Sequence, residues 1–202
     1  MQRGSLFVIS GPSGAGKGTI CQRLLADTDI HLSISMTTRQ PRQGEVHGVS
    51  YYFADEAEFL AKVEAGGFLE HANVFGRYYG TPRDTVLEKL NAGKDVLLEI
   101  DVQGALQVKE NLPEAILIFI LPPSLEELKN RIVGRGTETE EAIATRLGEA
   151  LHEISFLDRY DYYVVNDDLD VAVNEVKAII RTQSLKVADR AQSLIAQYKE
   201  EK

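Results

Sequence analysis

The fold of this chain is decided by the stretch Gly11-Pro12-Ser13-Gly14-Ala15-Gly16-Lys17-Gly18-Thr19. An apolar run precedes it at residues 6–9 and an amphipathic segment follows at about 19–26, which predicts a strand, a glycine-rich turn and a helix. The glycines allow consecutive backbone N–H groups to point at one anion, and the positive end of the helix dipole points at the same place. Lys17 adds a mobile positive charge that can reach outer phosphates. The stretch therefore favours a nucleotide-phosphate loop over an ordinary glycine-rich turn.

Magnesium coordination is the one place where the loop departs from the general pattern. Gly18 occupies the position at which that pattern has Ser or Thr, whose hydroxyl contacts the metal ion. The nearest hydroxyl belongs to Thr19, which is the candidate Mg²⁺ contact. We therefore expect phosphates and water to hold most of the ion, and the sequence predicts no certain metal ligand.

Composition limits the class of protein. The chain has 202 residues, of which 44% are hydrophobic and 26% charged, enough for one substantial core. Its net charge of -9 argues against nucleic acid or an anionic membrane as a partner. The single cysteine, Cys21, fits a reducing compartment, and we expect a cytoplasmic protein without a signal peptide or a membrane span.

Five short apolar runs are separated by helical segments. They are residues 6–10, 32–36, 96–100, 116–121 and 162–165. This alternation predicts an α/β fold of the P-loop NTPase type, with a parallel five-stranded sheet flanked by helices. Predicted helices include one from residue 82, one capped by Ser124 with Glu127, one over 138–157, and a long one from residue 169 onward. Ligands of such sheets gather at the carboxyl ends of the strands, where Gly11, Ser35 and Asp101 are expected.

The segment from residue 37 to about 80 interrupts this rhythm. It is rich in tyrosine, glycine and arginine, and its short runs predict small antiparallel strands around one helix near 55–65, that is, an inserted mixed α+β lobe. Arg39 and Arg42 flank Pro41, which holds the backbone extended. The two guanidinium groups can converge on one phosphate, with Tyr51 as an additional donor. Alternatively, both arginines are solvated surface charges.

Five stretches, taken together and in order, resemble the guanylate kinases. They are the loop 11–19, the segment 35–51, Tyr78-Tyr79-Gly80-Thr81, Glu99-Ile100-Asp101-Val102-Gln103-Gly104 and Arg135-Gly136-Thr137-Glu138. The resemblance covers nearly the whole chain and implies transfer of the γ-phosphoryl group of ATP, bound with Mg²⁺, to GMP. It also implies one domain, 1–202, made of a core (1–36, 81–130 and 147–202), a GMP-binding lobe (37–80) and a helical lid (131–146).

The resemblance assigns a role to each candidate site residue. The ATP site comprises Gly11, Pro12, Ser13, Gly14, Ala15, Gly16, Lys17, Gly18, Thr19 and Asn166. The phosphate of GMP is assigned to Arg39, Arg42, Tyr51 and Tyr79, and the guanine to Ser35, Glu70, Thr81 and Asp101. Catalysis is assigned to Lys17, Arg135 and Arg146, whereas Arg131 is the less secure member of the lid arginines and could pair with nearby glutamates.

Hydrogen-bond chemistry agrees with the guanine assignment. Guanine has N1–H and N2–H₂ donors that the carboxylates of Glu70 and Asp101 can accept, and the hydroxyls of Ser35 and Thr81 can serve O6 and N7. Simpler roles stay open at this stage, because Glu70 could be a surface carboxylate and Asp101 a helix N-cap. In the same way, Asn166 could belong to a turn and helix cap.

Two other function classes compete with the kinase. A non-catalytic module of the same fold, which binds phosphorylated peptides, should have a degraded phosphate loop and lid, whereas Lys17 and the lid arginines are present here. A kinase for another nucleoside monophosphate should lack the set of Glu70, Thr81 and Asp101. The sequence leaves the oligomeric state open, with a homo-oligomer as an alternative to a monomer.

Overall fold

The structure is a computed structural model that describes residues 3–133, 139–187 and 191–200. Its strands are β1 (Leu6–Ser10), β2 (His31–Leu32), β3 (Met36–Thr37), β4 (Tyr52–Phe53), β5 (Phe68–Val74), β6 (Arg77–Pro82), β7 (Val96–Glu99), β8 (Ile116–Leu121) and β9 (Tyr162–Val165). Its helices are α1 (Lys17–Asp27), α2 (Glu56–Glu64), α3 (Arg83–Asn91), α4 (Val102–Asn111), α5 (Leu125–Val133), α6 (Glu140–Ile154), α7 (Leu169–Gln183) and α8 (Ala191–Glu200).

The larger sheet has five parallel strands in the order β2-β7-β1-β8-β9, which confirms the predicted sheet. Strand β1 lies at its centre, with Val8 between Leu98 of β7 and Leu117 of β8. Every residue of β1 is buried, because helices cover both faces of a parallel sheet. This explains why the strand is a continuous apolar run rather than an alternating one.

The two faces of β1 belong to two different hydrophobic layers. Phe7 and Ile9 pack with residues of α1 and α7, and Leu6 and Val8 pack with residues of α3 and α4. Alternation along the strand separates the two sets, since successive side chains point to opposite faces. Cys21 is buried in the first layer, as expected of a small apolar side chain on the first helix.

A second sheet, of four strands in the order β4-β3-β6-β5, forms the inserted lobe. Strands β5 and β6 are an antiparallel hairpin, whereas β3 and β4 are parallel, so the lobe is not built from antiparallel pairs alone. The ring of Phe59, on α2, stacks on Phe68 at 4.5 Å and on Tyr78 at 5.4 Å between ring centroids. These three aromatic rings give the lobe a small core of its own.

The single strand predicted over 32–36 is wrong, because two short strands in different sheets occupy this region. The N–H of Ser33 donates to Leu97 O in the large sheet, and the carbonyl of Ser35 accepts from Tyr52 N in the small one. The chain therefore passes from one sheet to the other between residues 33 and 35. The alternation of polar and apolar residues over 32–36 is compatible with a strand in either sheet. It therefore does not show where the chain passes from one sheet to the other.

The long C-terminal helix predicted from residue 169 is also wrong, since it is divided into α7 and α8. Helix α7 ends at Gln183, where the Ser184 hydroxyl donates to the Arg181 carbonyl and satisfies an acceptor at the helix end. Arg131, the first residue of the predicted lid, lies in the last turn of α5. Among the helices in the described ranges, none combines the length and apolar character required to cross a membrane.

Candidate active site

The phosphate loop joins the carboxyl end of β1 to α1. Gly11, Gly14 and Gly16 have φ values of 136°, 94° and 92°, a region that residues with a Cβ rarely adopt. Lys17 folds back over the loop, and its ammonium group donates to the carbonyls of Gly11 at 2.5 Å and Pro12 at 3.1 Å. Burial lowers the pKa of Lys17, and nearby carboxylates, Glu153 first, oppose this effect.

A cavity of about 310 Å³ opens on this loop. It is lined by Ser13, Gly14, Gly16, Lys17, Gly18, Thr19 and Glu99. A carbon atom added to Gly18 would be 3.4 Å from Glu99 Oε1, which shows that the end of β7 faces the loop. The cavity therefore combines loop backbone, one ammonium group and one carboxylate, a combination suited to a phosphate accompanied by a metal ion.

Thr19 and Glu99 fit a magnesium ion. Thr19 is exposed at this cavity, and both groups offer the hard oxygen donors that Mg²⁺ prefers. Within the described ranges, no group of three or more His, Cys, Asp or Glu side chains could hold a metal ion by itself. Mg²⁺ would therefore be bound mainly by the nucleotide phosphates. Glu99 was missed as a candidate, although its place at the end of a buried strand was visible in the sequence.

Asn166, which follows β9, fastens the loop from the other side. Its side-chain amide donates to Ala15 O at 2.7 Å and is buried. A Cβ on Gly16 would lie only 2.2 Å from the Asn166 amide nitrogen, so glycine is required there for close packing as well as for its φ value. The cap of α7 is Asp168, which accepts from Val171 N, and not Asn166. Asn166 is therefore a partner of the phosphate loop and not a helix cap.

A second opening of about 450 Å³ adjoins the same loop. It is lined by Gly14, Gly16, Thr19, Arg131, Asn166, Asp167 and Leu169. Arg131 crosses this region, donating from Nε to Glu127 at 2.9 Å and from a terminal nitrogen to the Asn166 carbonyl at 3.0 Å. Arg131 thus pairs with Glu127, a nearby glutamate, as the sequence allowed. It also binds Asn166, the residue whose side chain donates to the phosphate loop.

In the inserted lobe, Arg39 is fixed by a partner that sequence reasoning missed. Its two terminal nitrogens donate to the two carboxylate oxygens of Glu45 at 2.8 and 3.0 Å. Glu45 also accepts from the backbone N–H of Arg42 at 2.7 Å. A glutamate six residues after one arginine and three after the next was the available signal. Glu45 therefore fixes both the Arg39 side chain and the backbone at Arg42.

Two tyrosines lie against the same arginine. The guanidinium of Arg39 lies 5.4 Å from the centre of the Tyr51 ring, which meets the Tyr79 ring edge-on at 6.2 Å. Glu45 and the Gln40 carbonyl accept from three of the five guanidinium N–H donors, and the Tyr79 side chain is a further hydrogen-bond partner of Arg39. The structure thus brings Arg39, Tyr51 and Tyr79 together, with the exposed Arg42 on the same loop.

Glu70 is not a surface carboxylate. It is 8% exposed, and the fully buried Thr81 hydroxyl donates to its Oε1 at 2.7 Å. The Thr81 proton is thus already committed, so that in this conformation its hydroxyl can accept a hydrogen bond but not donate one. Burial raises the pKa of Glu70, the hydrogen bond from Thr81 opposes the rise, and the charge of Asp101 adds to it.

Asp101 lies close to Glu70 and caps a helix. Its Oδ1 accepts from Gly104 N at 2.7 Å, so it is the N-cap of α4. A Cβ on Gly104 would lie 3.3 Å from Glu70 Oε2 and 3.4 Å from Asp101 Oδ1, so both carboxylates lie beside this glycine. The cap role does not remove Asp101 from the site, since its side chain is exposed. Ser35, half-buried, directly precedes Met36, which pairs with Gly80, the neighbour of Thr81.

The lid is described only in part. Arg135, assigned to catalysis, lies outside the described residues. Arg146 lies on α6, which packs through Ala150, Ile143 and Leu147 against Leu128 and Ile132 of α5. A Cβ on Gly14 would approach a Leu128 methyl carbon at 3.0 Å, so this helix pair rests on the phosphate loop.

The chain is similar to guanylate kinases over nearly its whole length. The family model described as guanylate kinase matches residues 3–183. The guanylate kinase of Clostridium tetani is 54% identical over 200 residues, covering 99% of this chain and 96% of its own. That of Caldanaerobacter subterraneus is 54% identical over 201 residues, with 99% and 97% covered. The crystal structure of guanylate kinase from Anaplasma phagocytophilum is similar at 36% identity and a TM-score of 0.72, covering 94% of this chain and 90% of that one.

Proposed function

Because this chain belongs to the guanylate kinase family and is therefore a nucleotide kinase, we propose that it transfers the γ-phosphoryl group of ATP to GMP, giving ADP and GDP. The observation that most supports GMP as the acceptor is the buried Glu70–Thr81 pair beside Asp101. Two carboxylates are suited to the N1–H and N2–H₂ donors of guanine. Adenine presents a lone pair at N1, and a site built to accept a proton rejects such an analogue by about 10⁴ or more.

The acceptor phosphate would bind Arg39 and Arg42, with Tyr51 and Tyr79 beside them. Glu45 holds the Arg39 guanidinium so that its remaining donors keep a fixed direction, which favours the bidentate recognition of a phosphate. The adenine nucleotide would bind with its phosphates in the loop 11–19 and its base toward Asn166 and the adjoining opening. The two nucleotides would then meet over Lys17.

The chain needs no general base for this reaction. The acceptor is a phosphate monoester whose second pKa is near 6, so it is largely ionised at neutral pH. Thr19 and Glu99 would hold Mg²⁺, which supplies neutralisation of the phosphate charges when it is bound. Lys17 and the lid arginines Arg135 and Arg146 would stabilise the charge that spreads over the transferring group. We propose that the lobe (37–80) and the lid (131–146) close over the core and exclude water.

The test is ADP formation from MgATP with GMP, dGMP, AMP, UMP or CMP as the acceptor. We expect fast turnover with GMP and dGMP, because both carry the donors of guanine. With AMP we expect kcat/KM to be at least about 10⁴-fold lower. Absence of GMP-dependent turnover would contradict the proposed reaction. Better turnover with AMP would contradict the base pocket alone.

A further inference from the structure

The outer edge of β5 is bound to the core by two amide side chains of α4. Strand β5 is an end strand of the small sheet, so one row of its backbone groups faces away from β6. The N–H of His71 donates to Gln107 Oε1 at 3.1 Å, and the side-chain amide of Asn111 donates to the carbonyl of Leu69 at 2.9 Å. Gln107 and Asn111 are four residues apart and lie on one face of the helix. Two side chains of the core therefore take the place that a further strand would have.

The stretch that α4 binds contains an irregularity of β5. The pairing of β5 with β6 advances from Phe68 directly to Glu70, so Leu69 is an extra residue and forms a β-bulge. A bulge redirects the side chains beside it, and all three of these residues are buried. Phe68 stacks on Phe59 in the core of the lobe, whereas Leu69 packs in the layer of α3 and α4. The bulge is therefore the point at which β5 joins the lobe to the core of the molecule.

Glu70 lies between the two positions that α4 binds. Leu69 precedes it and His71 follows it, and a side chain of α4 holds the backbone of each. The same helix begins at its N-cap Asp101, and the carboxylates of Glu70 and Asp101 both lie beside Gly104 in its first turn. One helix thus carries one carboxylate of the base pocket and binds the backbone on both sides of the other. It therefore sets the spacing between the two.

We propose that Gln107 and Asn111 are positioning residues for recognition of the guanine base. By fixing the backbone on both sides of Glu70, they keep its carboxylate at the distance from Asp101 that the neighbouring N1–H and N2–H₂ donors of guanine require. They act through Glu70 and not by contact with the nucleotide. This inference rests on the proposed function, since it takes GMP as the acceptor.

The experiment compares two substitutions that each add one carboxylate to the same face of α4. Asn111→Asp keeps the shape of the side chain but removes the donor to the Leu69 carbonyl, so that hydrogen bond is lost. Gln107→Glu keeps both the shape and the acceptor for the His71 N–H, so that hydrogen bond remains. Gln107 is nearer than Asn111 to Gly104 along the helix, and an effect of charge alone would therefore be larger in Gln107→Glu.

Steady-state kinetics and calorimetry of GMP binding are the readouts. Asn111→Asp is expected to raise the KM and the Kd for GMP about three- to tenfold, as for the loss of one hydrogen bond that fixes a binding group. The KM for ATP should change by less than about twofold, because the phosphate loop keeps its own supports. Gln107→Glu should stay within about twofold of the wild type for GMP, whereas Gln107→Leu, which removes the acceptor, should weaken GMP binding as Asn111→Asp does.

Three results would overturn the inference. The first is a loss in Gln107→Glu as large as the loss in Asn111→Asp, and the second is unchanged GMP binding in both Asn111→Asp and Gln107→Leu. The third is an equal loss for GMP and ATP, which would show a general disturbance of the fold. If Asn111→Asp does not fold, the comparison of Gln107→Glu with Gln107→Leu decides alone. A wild type that neither binds nor phosphorylates GMP would contradict the proposed function itself, whereas an active wild type matched by its variants would contradict only this inference.

Discussion

At the scale of single residues, Glu70 is the residue that we propose discriminates between purines, and its environment makes that role dependent on pH. Its carboxylate should be ionised to share the donors of guanine with Asp101 while it accepts from Thr81. Burial raises its pKa above the ordinary value of 4.5, so the ionised fraction falls as the pH is lowered through that raised pKa. Recognition of GMP should therefore weaken on mild acidification, earlier than an ordinary glutamate would allow.

The prediction is that the KM for GMP rises as the pH falls toward the raised pKa of Glu70. Glu70→Gln should show a high KM with a flatter dependence on pH, because it has no carboxylate to protonate. GMP itself takes up a proton with a pKa near 6 in both proteins, so the comparison of the two profiles isolates the residue. Parallel profiles in the wild type and the variant would contradict the pocket.

Glu45 is the second residue whose role can be measured. Glu45→Ala should raise the KM for GMP about three- to tenfold with little change in kcat, since it removes a charge-assisted pair that fixes Arg39 before and during the reaction. Steady-state kinetics with Glu64→Ala, an exposed position at the end of α2 in the same lobe, provides the control. A fall in KM would mean that Glu45 competes with the phosphate instead of positioning the arginine.

At the scale of elements, the end of β9 supports the start of α1. Asn166→Ala should weaken ATP binding about tenfold, because Ala15 O loses a buried partner and the loop loses its lateral support. The KM for GMP should change less than twofold, as the hydrogen bonds of Asn166 within the described ranges join it to the core and α5. Asn91→Ala, an exposed change at the end of α3, is a suitable control for stability. Equal effects on both substrates would show a general disturbance of the core.

The sequence predicted the elements that a single local signal determines. Strands β1, β8 and β9 have the predicted bounds, because each is a short apolar run between turn residues. The capping of α5 by Ser124, which accepts from Glu127 N, followed from residue spacing in the same way. These strand bounds and this helix cap are determined by residues that are neighbours in the sequence.

The features that sequence reasoning missed depend on contacts between distant or competing groups. The crossing at residues 33–35 is set by which strand each end pairs with, Leu97 or Tyr52, and not by local composition. The pairing of Thr81 with Glu70 depends on the register of the β5–β6 hairpin, which no local pattern specifies. Glu45 was visible in the sequence, but a surface glutamate in a loop is common, and only its geometry distinguishes it.

At the scale of the whole molecule, the site is built at some cost to stability, and Lys17 shows this most clearly. The fold lowers the pKa of Lys17 by burial, so a charged ammonium group is held where burial opposes its charge. Lys17→Ala should abolish measurable turnover while leaving Tm within about 3 °C of the wild type. Thermal unfolding followed by circular dichroism, beside an ADP-formation assay, checks both parts. A large fall in Tm would assign the lysine a structural role instead.

The bond between Asn166 and Ala15 joins positions 151 residues apart, and this has a consequence for synthesis. Among the described residues, the partners of strand β1 are β7 and β8, so it can enter the sheet only after residue 96 and later residues have been translated. The loop at 11–19 therefore leaves the ribosome well before the strands that hold it in place. Nucleotide cannot assist the folding of the growing chain until β9 has emerged, and a nascent chain halted earlier should stay sensitive to protease with or without ATP.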